Sequence, residues 1–130
     1  MDLTLQKPGD HLFIRAISDT GIRIDDDWYG KSLILSTSRL IPDWPVTSVA
    51  DISEARLHPV FDFTPDIVLL GTGARQHFLP VELMMIFYRR EIGVEVMATP
   101  AACRTFNVLA LEERRVVAAL IWPDETVTHP

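Results

Sequence analysis

Ile67-Val68-Leu69-Leu70-Gly71-Thr72-Gly73-Ala74-Arg75 is the stretch that decides how this chain reads. Its first four residues form an unbroken apolar run, the pattern of a strand covered on both faces by other layers. A glycine loop follows directly, and open α/β sheets place ligand loops at the carboxyl ends of their strands. Downstream, Pro80 to Ile92 has helical periodicity, with proline tolerated in the first turn. Val81, Met85, Tyr88 and Ile92 fall on one stripe, with Met84 and Phe87 beside it, which predicts the core-facing side. Gly93 is the expected left-handed stop. Val94-Glu95-Val96-Met97 reads as a second strand. Thr99-Pro100 is expected to cap and start a second helix, with Ala102, Phe106 and Leu109 at buried spacing. Arg115 to Trp122 forms the last strand, its direction left open. The result is an α/β pattern in which the strands at 67–70 and 94–97 are parallel neighbours across a right-handed crossover.

Upstream the chain reads as β. Residues 11–17 and 21–24 are short apolar-rich segments around the Ser18-Asp19-Thr20-Gly21 turn, and Asp25-Asp26-Asp27 turns the chain again. Ser32 to Ser36 is a further strand. Ile41-Pro42-Asp43-Trp44-Pro45 is a loop, since two prolines forbid regular pairing. Ser53 caps a short helix with Glu54 in its first turn, and Pro59 is expected to end it. The chain, 1–130, is read as one domain, with a core at about 10–122 and a frayed tail at 123–130.

Composition narrows the function. Twelve Lys and Arg against 18 Asp and Glu give a formal net charge of −6. That balance disfavours nucleic acid and anionic membrane surfaces, which require basic patches. No run approaches the roughly 20 apolar residues of a membrane-inserted helix. Met1 to Pro8 has no apolar signal region. Cys103 stands alone, which excludes an intrachain disulfide and leaves a cysteine-ligated zinc site without partners. A cytoplasmic setting fits, and Cys103 reads as a buried structural thiol.

The Gly71–Arg75 loop fails as a dinucleotide fingerprint, because Gln76 holds the third glycine position, and fails as a phosphate-binding Walker loop for want of a Gly-Lys-Ser/Thr ending. It is either a structural turn or a ligand-contacting loop. Gly71, Thr72, Gly73 and Arg75 are expected to meet the N-terminus of the Thr99 helix, whose unpaired N–H groups carry a partial positive charge. With Arg104, and with His77 nearby, this makes a candidate cleft for a small anion. The competing reading is that Thr99 only caps its helix. Asp25-Asp26-Asp27 lacks the remaining ligands of a calcium loop, and the four histidines show no metal spacing. No nucleophile elbow or paired carboxylates appear, so no catalytic residue, metal or cofactor is assigned. Trp28 and Trp44, on expected loops, are core plugs or, where exposed, anchors for a protein partner.

Three segments carry a family resemblance: Ile67 to Gly73, Gly93 to Thr99, and Ala101 to Leu109, joined by Glu113-Arg114-Arg115-Val116. Together they resemble the MTH-938-like domain family, also called domain of unknown function 498. Tyr29 before the Ser32-Leu33 strand, and Trp44, fit its first half. The matching positions are Gly71, Thr72, Gly73, Thr99, Thr105 and Asn107. The resemblance implies a three-layer α/β fold: a central mixed β-sheet flanked by helices, with an additional β-hairpin packed on it. It also implies that no catalytic residue carries over, and that mitochondrial relatives act as assembly factors for respiratory complex I. The expectation is therefore a cytoplasmic protein-binding or assembly-factor-like domain. The alternative is a small anion or metabolite binder using the Gly71–Arg75 loop.

Overall fold

The computed structural model describes residues 11–112 and 114–122; the expected tail at 123–130 lies outside them. Strand alternation sorts the apolar residues into two cores. In β6 (Ile67–Gly71), Ile67 and Leu69 enter one core while Val68 and Leu70 enter the other. β8 (Val116–Leu120) divides Val116, Ala118 and Leu120 from Val117 and Ala119 in the same way, and β4 (Leu33–Leu35) divides Leu33 and Leu35 from Ile34. These runs are apolar throughout because both faces of the sheet are covered.

The five-stranded sheet has the order β5-β4-β8-β6-β7, with β5 (Leu40–Ile41) and β7 (Gly93–Met97) at its edges. β6 runs parallel to β7 and to β8, which settles the last strand's direction, and β4 runs antiparallel to β8 and β5. At the entry to β6 and β8, the Asp66 carboxylate accepts from the Arg115 N–H at 3.1 Å and from its guanidinium at 3.3 Å. The Arg115 backbone bond, then its side chain, hold the Asp66 carboxyl below its ordinary value. Its contribution to stability is present above that ordinary value and is lost as pH falls below it.

Helices α1 (Glu54–Phe61) and α2 (Val81–Arg89) cover one face through Leu57, Val60 and Phe87, with Trp44 and Val46 filling the same core. Helix α3 (Thr99–Ala110) covers the other with Ala102, Cys103 and Phe106. Among the described residues no helix is long and apolar enough to cross a membrane. The expected hairpin is a three-stranded antiparallel meander of β1 (Ile14–Ile17), β2 (Ile22–Ile24) and β3 (Asp27–Tyr29), packed on the α3 side through Ile14, Ile22 and Ile24. Asp27 does not complete the turn but opens β3, opposite Ile24.

Four local expectations are corrected. Ser53 caps α1 by accepting from the Arg56 N–H, but the helix continues through Pro59 to Phe61. Burial of Leu57 and Val60 outweighs the hydrogen bond that proline forgoes. Gly93 is not the stop of α2. Glu91 takes the left-handed conformation (φ 58°), Ile92 donates back to Phe87, and Gly93 already pairs with Ile67 in the sheet. Thr99 is not a cap but the first helical residue, after Ala98. Most of the stripe assigned to the core of α2 faces outward: Val81 and Tyr88 are 65% and 75% exposed, whereas Ile86 and Phe87 are buried and Ile92 packs on the same core as Phe87.

Asn107 attaches the meander to the body. Its amide accepts from the Ile14 N–H at 3.0 Å and donates to the Ile14 carbonyl at 2.7 Å, the pair of bonds a neighbouring strand would supply. Asn107→Ala leaves both backbone groups without that partner and is expected to cost about 1–3 kcal/mol in urea unfolding. Amide exchange is expected to accelerate most at Ile14.

Candidate functional site

The glycine loop and the start of α3 meet as the strand order requires. At the carboxyl ends of β6 and β8, the Thr99 hydroxyl is 1% exposed, accepts from the Gly73 N–H at 2.9 Å and donates to the Ile121 carbonyl at 2.8 Å. The Thr99 N–H donates in turn to the Gly73 carbonyl at 2.7 Å. Gly71 permits this closeness, since a Cβ there would stand 2.8 Å from the Thr99 hydroxyl and 2.9 Å from its Cα. Gly73, at φ 108°, turns the chain out of the sheet. Thr72 is buried, and its hydroxyl donates to the Arg75 carbonyl at 2.7 Å while accepting from the His77 N–H. The loop is thus folded on itself.

Beside this junction lies a cavity of about 430 Å³. The β1–β2 turn supplies Ile17, Ser18 and Asp19, the loop Gly73 and Ala74, α3 Thr99 and Pro100, and the end of β8 Ile121 and Trp122. Neither Arg75 nor Arg104 lines it, and both are exposed. Of the first four residues of α3, Thr99 has its N–H engaged by Gly73, Pro100 has none, and Ala102 donates to Ala98 at 3.0 Å. The donors that would make this helix end an anion site are thereby largely spent. Among the described residues that line the cavity, the one ionisable side chain is the Asp19 carboxylate.

The two tryptophans separate. Trp44 is 2% exposed, its indole N–H donates to the Arg56 carbonyl at 2.8 Å, and it plugs the core beneath α1; the expectation of a surface anchor there is corrected. Its ring is too large and apolar to stay outside once Val46, Leu57 and Val60 offer it a pocket. Trp28 is 52% exposed on β3, the outer strand of the meander.

A surface feature missed in the sequence is the outer side of α2 together with the segment leading into it. Phe78, Val81, Met84, Met85 and Tyr88 are all exposed, Phe78 at 93%. The available signal was the make-up of α2, where Glu82 and Arg89 alone are charged among nine residues; only one of its two apolar stripes faces the sheet.

Cys103 is buried on α3, and burial pushes its thiol up to about 12 against a weaker opposing pull from Arg104. The native protein at pH 8 is therefore expected to resist iodoacetamide until denaturant is added, as read by intact mass. Since this folded value exceeds the ordinary 9.0, the associated stability is intact below pH 9.0 and declines as pH rises from there toward about 12. Thr99→Val leaves the Gly73 N–H and the Ile121 carbonyl buried and unpaired; a loss of about 2–5 kcal/mol in thermal or urea unfolding is expected. Thr99→Ser, which keeps the hydroxyl, is expected to recover most of it.

Comparison with known proteins closes the question of kinship. Residues 14–121 match the family described as "Protein of unknown function (DUF498/DUF598)". A zebrafish (Danio rerio) protein, NADH dehydrogenase [ubiquinone] 1 alpha subcomplex assembly factor 3, is 38% identical over 113 residues, covering 85% of this chain. The chain spans 64% of that relative's length. A Xanthomonas campestris protein solved by NMR is 34% identical, with a TM-score of 0.82 over 99% of this chain and 98% of its own. A Bordetella pertussis protein described as an Mth938-like domain is 27% identical, with a TM-score of 0.77 over 94% of each chain. The chain therefore belongs to the DUF498/DUF598 family and has the Mth938-like α/β fold.

Proposed function

We propose that this chain acts by binding another protein during the assembly of a multisubunit enzyme, without catalysing a reaction itself. The observation that carries the reading is the likeness to NADH dehydrogenase assembly factor 3, which extends over 85% of this chain. We place this work in the cytoplasm, where the reducing pool keeps a lone thiol such as Cys103 unpaired. The contact we assign to the partner is Trp28. It stands half-exposed on β3, whose outer edge carries no further strand among the described residues, and an edge strand with an aromatic anchor suits recognition of an extended segment.

Deleting the gene from its host tests the reading. Native gels with in-gel activity staining are expected to show less assembled NADH dehydrogenase and an accumulation of partial complexes, restored by the wild-type gene. Trp28→Ala is expected to restore less than half, although the protein folds normally by circular dichroism. Unchanged amounts of the assembled enzyme in the deletion strain overturn the proposal.

A further inference from the structure

The outer face of α2 is regular as well as exposed. Val81, Met84, Met85 and Tyr88 follow the i, i+3, i+4, i+7 spacing of a single helical stripe, and Phe78, in the segment leading into the helix, is exposed as well. This stripe points away from the side that buries Ile86 and Phe87. A large side chain presents about 150–250 Å² when fully exposed, so the five together offer on the order of 500 Å². That is near the top of what a monomer leaves uncovered, and well over half of the roughly 800 Å² each partner contributes to a standard interface.

The charges beside the stripe select the occupant. Glu82 and Arg89 are seven residues apart, so they stand on the same flank of α2, about 10 Å from one another along its axis. Both are exposed, and neither makes an ion pair among the described residues. The neighbouring Arg90 is already held by Glu54 at 3.7 Å and by the Phe61 ring at 4.2 Å. A negative and a positive group at opposite ends of one flank are complementary to themselves when the helix is turned end for end.

We propose that α2 packs against α2 of a second copy of this chain, antiparallel across a two-fold axis near Met85. A two-fold contact is reciprocal, residue i meeting j while j meets i. Val81 then faces Tyr88 of the second copy, the methionines meet around the axis, and Glu82 of each chain lies beside Arg89 of the other. The midpoint of Val81 and Tyr88 and that of Glu82 and Arg89 fall within one residue of each other, so a single axis serves both pairs. A parallel arrangement would put the two charged flanks on opposite sides and leave all four groups unpaired. Methionine side chains conform readily to an identical surface. The meander packs on the opposite face of the sheet, so this dimer leaves Trp28 open and is independent of the assembly role proposed above.

Sedimentation velocity across the micromolar range tests the proposal. The wild type is expected to dimerise, and Met85→Glu is expected to be monomeric with an unchanged circular dichroism spectrum. Glu82→Arg and Arg89→Glu are each expected to weaken dimerisation on the order of tenfold, because each replaces both ion pairs with like charges. The double variant Glu82→Arg/Arg89→Glu is expected to regain wild-type affinity, and an equimolar mixture of the two single variants is expected to form mixed dimers. A wild type that stays monomeric throughout overturns the proposal and leaves the stripe to a different protein. Failure of both the double variant and the mixture to recover association overturns the antiparallel geometry.

Discussion

A buried hydroxyl locks the carboxyl end of the sheet to the helix that covers it. Thr99 ties the loop leaving β6 to the end of β8 and does so from the first residue of α3. The geometry works because Gly71 has no side chain to hold the helix off. With α3 pinned there, Phe106 reaches the sheet and Asn107 reaches β1, where Ile14, Ile22 and Ile24 complete the seat of the meander. A hydroxyl meets this demand where a larger polar group would not, since it both donates and accepts within the space of a methyl group.

The same contact draws inward donors that an anion cradle would need from the most suggestive loop in the chain. Glycine loops before helix starts bind phosphates when their N–H groups face outward and empty. Here the N–H of Gly73 and that of Thr99 are turned onto each other's residues, and Pro100 removes a third donor. The cavity beside them is walled mostly by apolar residues, with Ser18, Asp19 and Thr99 among them. Arg75 and Arg104 lie in solvent, so positive charge is not gathered where the sequence places it in one dimension.

The α/β half was legible because its signals are local and strong. The run from Ile67 to Leu70, closed by a glycine loop, has the pattern of a strand buried on both faces, and the crossover through α2 follows from the usual handedness. The meeting of Gly73 and Thr99 follows from that topology. What escaped depends on packing across distance. Pro59 ends helices by local rule, yet Val60 beyond it is drawn into the core. Trp44 between prolines has no local reason to be buried; its place is made by Leu57 and Val60 on α1. On α2 nearly every position is apolar, so periodicity supplies two stripes with no basis for choosing between them. Its inner side is fixed by Phe87 against Phe61, a contact between helices that no window of sequence contains.

The central sheet also acts as a partition. Neighbouring residues of β4, β6 and β8 are sent to opposite sides, so the core under α1 and α2 shares no side chain with the core under α3 and the meander. A change of volume on one side is felt first by the layer resting there, because the side chains it meets belong to that core. The outer helix layer, and whatever it touches, is thus seated on a different core from the meander on the far side. One backbone carries two surfaces, each seated on a core of its own.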